Sequence, residues 1–188
     1  MDDAPAVTAV VLAGGRARRF GADKLGAPLR GTTVLAHLLD TLPPAWPLVG
    51  VGEPRPAGRA VTWTREEPPG TGPLAALLAG AALVRTPVAA VVAGDMPDAA
   101  PALVGLVEAL AAAAADVGAA VGVDDDGIPN PLLAAYRTPA LAARAALPSA
   151  GVPARSLLEI PHLEVVVPGP AAHDVDTPAD LAAVEREA

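Results

Sequence analysis

Continuous apolar runs recur along the chain at 7–12, 47–51, 60–63, 88–93, 117–123, 131–136 and 163–167, bounded mostly by glycine, proline and polar residues. Between them, apolar residues fall at helical spacing over 33–42, 74–84, 100–115, 139–147, 154–160 and 178–187. The first set predicts strands and the second helices. Several strand runs are apolar throughout, as expected where helices cover both faces of a mainly parallel sheet. Two helix starts carry capping chemistry: Thr138-Pro139, and Thr177-Pro178 with Asp180 three residues after Thr177. This alternation predicts an α/β fold whose ligands lie beyond the carboxyl ends of the strands. No repeat or boundary interrupts it, so 1–188 reads as a single domain with a substantial core.

Composition narrows the function. The chain is 52% hydrophobic, yet no window approaches the roughly 18 uninterrupted apolar residues of a membrane span. Met1-Asp2-Asp3 lacks the basic-then-apolar pattern of a signal peptide. There are no cysteines, which excludes disulfides, thiolate metal sites and a thiol nucleophile. A cytoplasmic protein is expected. A net charge of −8 with 2% aromatic residues argues against nucleic acid, which needs cations and stacking platforms. The 22 prolines and 18 glycines fall between apolar runs and read as loops of a compact fold.

Against that acidity, residues 11–24 stand out: Val-Leu-Ala-Gly-Gly-Arg-Ala-Arg-Arg-Phe-Gly-Ala-Asp-Lys. Arg16, Arg18, Arg19 and Lys24 put four of the chain's 13 lysines and arginines beside a glycine-rich backbone that can approach an anion closely. Phosphate binding is the chemical reading; a solvated basic turn is the bland one. The stretch lacks the lysine-hydroxyl ending of a P-loop and the glycine spacing of a dinucleotide fingerprint. Asp95, in Gly94-Asp-Met-Pro97 just past a predicted strand, suits a magnesium ligand, with helix capping as the alternative. Glu66-Glu67-Pro-Pro-Gly-Thr-Gly72-Pro-Leu74 opens a helix whose amides could face a ligand, or is simply an acidic loop. Asp174 and Asp176 are expected to point to opposite sides of an extended segment, so that at most one faces the site. Asp176 is a candidate second metal ligand, and Thr177 caps the last helix. His37, His162 and His173 show no metal-ligand spacing, and His37 reads as a packed or surface histidine. No Ser-His-Asp order or G-x-S-x-G elbow supports a covalent hydrolase.

Taken together, four segments resemble the molybdenum cofactor guanylyltransferases, within the nucleotidyltransferases of the sugar-nucleotide type. They are Leu12-Ala-Gly-Gly with Arg19-Phe-Gly-Ala-Asp-Lys24, Pro69-Gly-Thr-Gly-Pro-Leu-Ala75, Gly94-Asp-Met-Pro97, and Asp176-Thr-Pro-Ala-Asp-Leu181. The resemblance implies a Rossmann-like three-layer sandwich with a mainly parallel, mixed sheet. It implies Leu12, Ala13, Gly14, Gly15, Lys24, Glu67, Gly72 and Asp95 as the nucleotide site, Arg19, Lys24 and Asp95 as catalytic, and Mg²⁺ on Asp95. Gly15, where related cytidylyltransferases differ, favours GTP. Three departures accompany it: Glu67 where the family often has Asp, Gly50-Val51-Gly52 where many members carry Asn, and Asp174 and Asp176 where some carry Asn.

The implied reaction is Mg²⁺-dependent transfer of GMP from GTP to molybdopterin. It runs by attack of an already anionic acceptor phosphate, so positioning and charge neutralisation do the catalysis. Transient contact with proteins that make or receive the molybdenum cofactor also follows from the resemblance. Cytidylyl or other nucleotidyl transfer to a different small phosphate is the nearest alternative. A non-catalytic nucleotide-binding protein is the alternative of another class.

Overall fold

The computed structural model describes residues 6–14 and 23–186. Among these, seven strands form one sheet: β1 (Val7–Leu12), β4 (Leu48–Val51), β5 (Val61–Thr64), β6 (Val88–Ala93), β7 (Ala119–Val123), β8 (Pro129–Arg137) and β9 (His162–Val166). Their order is β5-β4-β1-β6-β8-β7-β9, parallel except for β8, which runs antiparallel to both its neighbours. A small hairpin of β2 (Pro28–Leu29) and β3 (Thr32–Thr33) stands apart. The runs 7–12, apolar but for Thr8, and 88–93 become β1 and β6 with unchanged bounds.

Burial on two faces explains why these central strands are apolar at every position but Thr8, whose hydroxyl accepts from that of Thr86 at 2.9 Å. Val7, Ala9 and Val11 of β1, with Val88, Ala90 and Val92 of β6, share a core with leucines of α1 (Val34–Thr41) and α3 (Ala100–Ala112). The alternate residues Val10, Ala89 and Val91 face α2 (Pro73–Ala81) and α4 (Thr138–Ala145). Side chains of opposite parity therefore feed two cores from each strand. A third, smaller core joins Ala27, Leu29 and Val34 to Val175 and Val184, tying the hairpin to α5 (Pro178–Arg186). No helix among the described residues is long and apolar enough to cross a membrane.

Three local expectations are corrected. The helix expected at 154–160 is a 3-10 turn, Ala154–Glu159. Thr138 is not a cap: Arg137 holds the N-cap position, and the Thr138 hydroxyl donates to the Thr86 carbonyl at 2.7 Å. A tertiary partner across the sheet edge takes the hydroxyl that local chemistry would have spent on the helix. The hairpin β2–β3 escapes prediction because two-residue strands carry no periodicity. At α5, by contrast, the capping box forms as expected: Thr177 N donates to Asp180 Oδ2 at 2.7 Å and Asp180 N to Thr177 Oγ1 at 3.2 Å.

Tyr136 is fully buried in β8, and its hydroxyl donates to the Pro131 carbonyl at 2.8 Å. Burial pushes its phenol pKa well up, so the proton stays on to make that bond. Tyr136→Phe, which strips the Pro131 carbonyl of this donor, is expected to lower stability by about 1–2 kcal/mol. The measurement is a fall of several degrees in Tm; an unchanged Tm would mean the bond contributes nothing net.

Candidate active site

β1 lies between β4, the next long strand in sequence, and β6, to which the chain later returns. The order of the parallel strands reverses there, which opens a crevice at their carboxyl ends. Backbone hydrogen bonding continues past the strand ends: Ala13 N to Val51 O at 2.8 Å, Gly94 N to Leu12 O at 2.9 Å, and Gly52 N to Thr64 O at 2.9 Å. Two glycines permit the close approach. A Cβ on Gly52, at φ +144, would stand 2.8 Å from the Ala13 carbonyl, and one on Gly94 would stand 3.0 Å from the Leu12 oxygen. An asparagine at position 52 would collide with the very loop it would have to serve.

Three chain segments meet at this edge. Lys24 opens the 3-10 turn Lys24–Gly26, and the Asp23 before it pairs with Arg55 at 2.6 Å, which draws the Asp23 carboxyl below its ordinary pKa. Asp95 follows β6 by two residues and does not cap α3, whose N-cap is Ala99. Asp174 and Asp176 arrive from the C-terminal segment, where Val175 N donates to the Asp95 carbonyl at 2.8 Å. The Lys24 ammonium contacts Asp95 Oδ2 and lies 3.0 Å from Asp176 Oδ1.

The expectation that Asp174 and Asp176 diverge is wrong. One carboxylate oxygen from each of Asp95, Asp174 and Asp176 lies within 4.8 Å of the others. In extended chain, residues i and i+2 share a face. The intervening Val175 turns the other way and is fully buried in the third core.

Burial disfavours a charge on Lys24, but its hydrogen bonds to Asp95 and Asp176 outweigh this and raise its pKa above 10.5. The stabilisation it gives is therefore complete at neutral pH and is lost only as pH climbs beyond the ordinary lysine value. Desolvation, then the charges of Asp176 and Asp95, push the Asp174 carboxyl up. Three hard oxygen donors in one cluster suit a divalent cation of the magnesium type. Around an octahedral ion of this kind adjacent donors stand about 3.0 Å apart and opposite ones about 4.2 Å, so the carboxylates draw together to hold one. The Lys24 ammonium already acts as a cation against two of its members.

Of the remaining sequence candidates, Leu12 ends β1, Ala13 is buried and Gly14 is exposed beside it. Glu67 and Gly72 lie in the segment from β5 to α2, on the same sheet edge but two strands from β1, with Gly72 as the N-cap of α2 at φ 109. Glu66, not Glu67, braces that segment by accepting from Gly70 N at 2.8 Å. Gly15 and Arg19, with Arg16 and Arg18, lie outside the described residues.

On the other side of β6, a pocket of about 320 Å³ is lined by Asp124, Ile128, Asn130, Leu133 and Asp174 among others. It opens where β7 and β8 slip register between Val121 and Gly122. Nothing in the motif pattern points to Asp124 or Asn130. The only available signal is the acidic turn Asp124-Asp125-Asp126-Gly127 itself, which reads as a solvated loop.

Residues 9–166 match the model of the MobA-like NTP transferase domain. A protein of Mycobacterium tuberculosis H37Rv named "probable molybdenum cofactor guanylyltransferase" is 39% identical over 145 residues, covering 72% of this chain and 70% of its own. One of the same name from Chloroflexus aggregans is 34% identical over 183 residues, covering 87% and 81%. The crystal structure of molybdopterin-guanine dinucleotide biosynthesis protein A from Archaeoglobus fulgidus superposes with a TM-score of 0.70 at 25% identity, covering 96% of this chain and 97% of that one.

Two outcomes follow from the cluster's charges. Lys24→Met removes the cation that occupies Asp95 and Asp176, so Mn²⁺ affinity without nucleotide should rise several-fold by electron paramagnetic resonance titration; a fall would refute the competition. Asp174→Asn relieves repulsion in the ligand-free protein, so Tm should rise while Mn²⁺ binding weakens. A lower Tm would show that the carboxylate stabilises the fold instead.

Proposed function

The chain belongs to the MobA-like NTP transferase domain family, and from that membership we propose that it transfers GMP from GTP to the phosphate of molybdopterin. The single observation that carries the reading is the meeting of Lys24, Asp95, Asp174 and Asp176 just beyond the carboxyl end of β6. A nucleoside triphosphate brings negative charge to a place where one protein cation is held and carboxylates can recruit another. Asp95, with Asp174 and Asp176, would hold Mg²⁺, which supplies charge neutralisation at the phosphates when bound.

The protein's own groups have distinct tasks. Leu12, Ala13, Gly14 and Gly15 offer backbone to the nucleotide. Lys24 exchanges its carboxylate partners for phosphate oxygens, and Arg19 adds a second positive charge. Glu67 accepts hydrogen bonds from the N–H edge of guanine or from ribose, and Gly72 lets the chain pass close by. Two strand spacings, about 10 Å, separate the β5 end from the β1 end. That separation lets one nucleotide lie across the edge, base toward Glu67 and phosphates toward Lys24.

The acceptor enters from the pocket beyond β6. Asp174 lines both that pocket and the acidic cluster, so a molecule seated there has its phosphate beside the nucleotide's. An acceptor phosphate oxygen bonds to the α-phosphorus, the α–β anhydride bond breaks, and pyrophosphate leaves with the electron pair. No strong base is required because the acceptor oxygen is already ionised.

With molybdopterin as acceptor and Mg²⁺ present, pyrophosphate release is expected from GTP in preference to CTP, ATP and UTP. Lys24→Ala and Asp95→Ala should each cut the rate by about 100-fold or more with the fold retained. Preference for CTP would overturn the guanylyl assignment. GTP binding without pyrophosphate release would make the protein a binder, and near-normal turnover in either variant would remove that residue from the mechanism.

A further inference from the structure

Arg30 and Gly31 are the two central residues of the β2–β3 hairpin, with φ of 47° and 79°. Positive φ at both is what a tight type I′ turn requires, and asparagine or glycine usually occupies the first position. Arg30 is the one non-glycine residue with positive φ among the described residues. A long side chain held in that backbone region points to a contact that over-determines it.

The Arg30 guanidinium bonds both carboxylate oxygens of Asp98, at 2.5 and 3.3 Å, and Nη2 also donates to the Val184 carbonyl at 2.7 Å. Nη1 lies 3.1 Å from His37 Nε2. The Arg30 backbone N–H donates to Glu185 Oε2 at 3.0 Å. Both side chains of the Arg30–Asp98 pair are about one-fifth exposed, at 19% and 21%.

Each partner is a short distance along the chain from a member of the site. Arg30 follows Lys24 by six residues, Asp98 follows Asp95 by three, and Val184 and Glu185 lie on α5, which starts two residues after Asp176. Asp176 is itself fixed to α5, its N–H donating to Asp180 Oδ2 at 3.1 Å. Two of these segments, the hairpin and the C-terminal one, also pack together through Leu29, Val34, Val175 and Val184, while the segment of Asp95 and Asp98 has no share in that core. Apolar packing of this kind lets segments slide, whereas a planar fork on a carboxylate fixes their register.

We propose that Arg30 is a positioning residue that sets the mutual placement of Lys24, Asp95 and Asp176 by clamping the three segments that carry them at a second point. Arg30 does not touch the carboxylate cluster and acts through its neighbours. The proposal rests on the reading of the cluster as a divalent-metal site, and its consequence is a loss of metal affinity without a loss of fold. Removing an outer partner of a metal site lowers metal affinity by about tenfold.

The test is Mn²⁺ titration of the full chain by electron paramagnetic resonance, with and without GTP, well below the measured Tm. Arg30→Met keeps the stem and removes the fork; Asp98→Asn keeps the shape and removes the other half, and so carries the test if Arg30→Met does not fold. Each should weaken Mn²⁺ about tenfold, the double variant should be no worse than either single one, and Arg30→Lys should recover part of the loss. GTP affinity without metal reads the placement of Lys24 alone and should fall less than Mn²⁺ affinity does. Asp95→Asn separates the two levels of the claim. Unchanged Mn²⁺ affinity in Asp95→Asn overturns the metal reading and the clamp with it. A loss in Asp95→Asn alongside unchanged affinity in Arg30→Met and Asp98→Asn overturns the clamp alone, as does additivity of the double variant.

Discussion

One lysine ammonium held between carboxylates from distant parts of the chain is the interaction on which the site depends. Lys24 and Asp176 are 152 residues apart in sequence and 3.0 Å apart in space. Two like charges about 5 Å apart repel by roughly 3 kcal/mol at an effective dielectric near 20, and less where water screens them. Three clustered carboxylates therefore need a cation, and in the ligand-free protein Lys24 supplies it. The same need makes the cluster receptive to a divalent ion once phosphate oxygens draw Lys24 away. Charge balance links the empty and the loaded site, with no change of fold required.

The sheet edge beneath the cluster is held by backbone hydrogen bonds. Leu12, Val51 and Thr64 accept backbone hydrogen bonds from Gly94, Ala13 and Gly52, so the chains remain paired beyond their strands. The closeness leaves no room for side chains at two positions, and Gly52 is the instructive one. At φ +144 it adopts a backbone conformation that suits glycine, and a Cβ there would meet the Ala13 backbone.

Much of this architecture was legible in the sequence, for physical reasons that can be named. The runs 7–12 and 88–93 gave strands with unchanged bounds because burial on both faces leaves every position but Thr8 apolar. The carboxyl-edge location of Lys24 and Asp95 followed from their place after strand and loop signals. What could not be read was tertiary. Thr138 carries the local chemistry of a cap but bonds Thr86. The β2–β3 hairpin is too short for a period, and its turn holds arginine where a sequence signal would be asparagine. Asp174 was under-weighted through a mistaken face assignment, although the alternation of Asp174, Val175 and Asp176 did contain the answer. Asp124 and Asn130 have no local signature, because the pocket they line is made by a register slip between two strands.

The two sides of the β6 edge are built by different means, and this bears on the proposed reaction. Toward β1, the groups offered to a nucleotide lie on loop backbone and on one lysine that must change partners. Toward β8, the pocket wall is braced by its own bonds: Asp124 Oδ1 accepts from Asp126 N at 3.0 Å and from Ile128 N at 2.8 Å, and Gly127 N returns to the Asp124 carbonyl at 3.0 Å. An acceptor would meet a largely preformed wall, whereas the nucleotide must reorganise Lys24. Asp174 stands at the junction, in the pocket lining and in the carboxylate cluster at once. Its raised pKa reflects burial first and then the neighbouring carboxylates of Asp176 and Asp95, whose repulsion a divalent ion would relieve. In the proposed reaction, a divalent ion on the cluster would also reduce the negative charge that an anionic acceptor meets at the pocket mouth, so loading the nucleotide side would lower the electrostatic barrier to the second substrate.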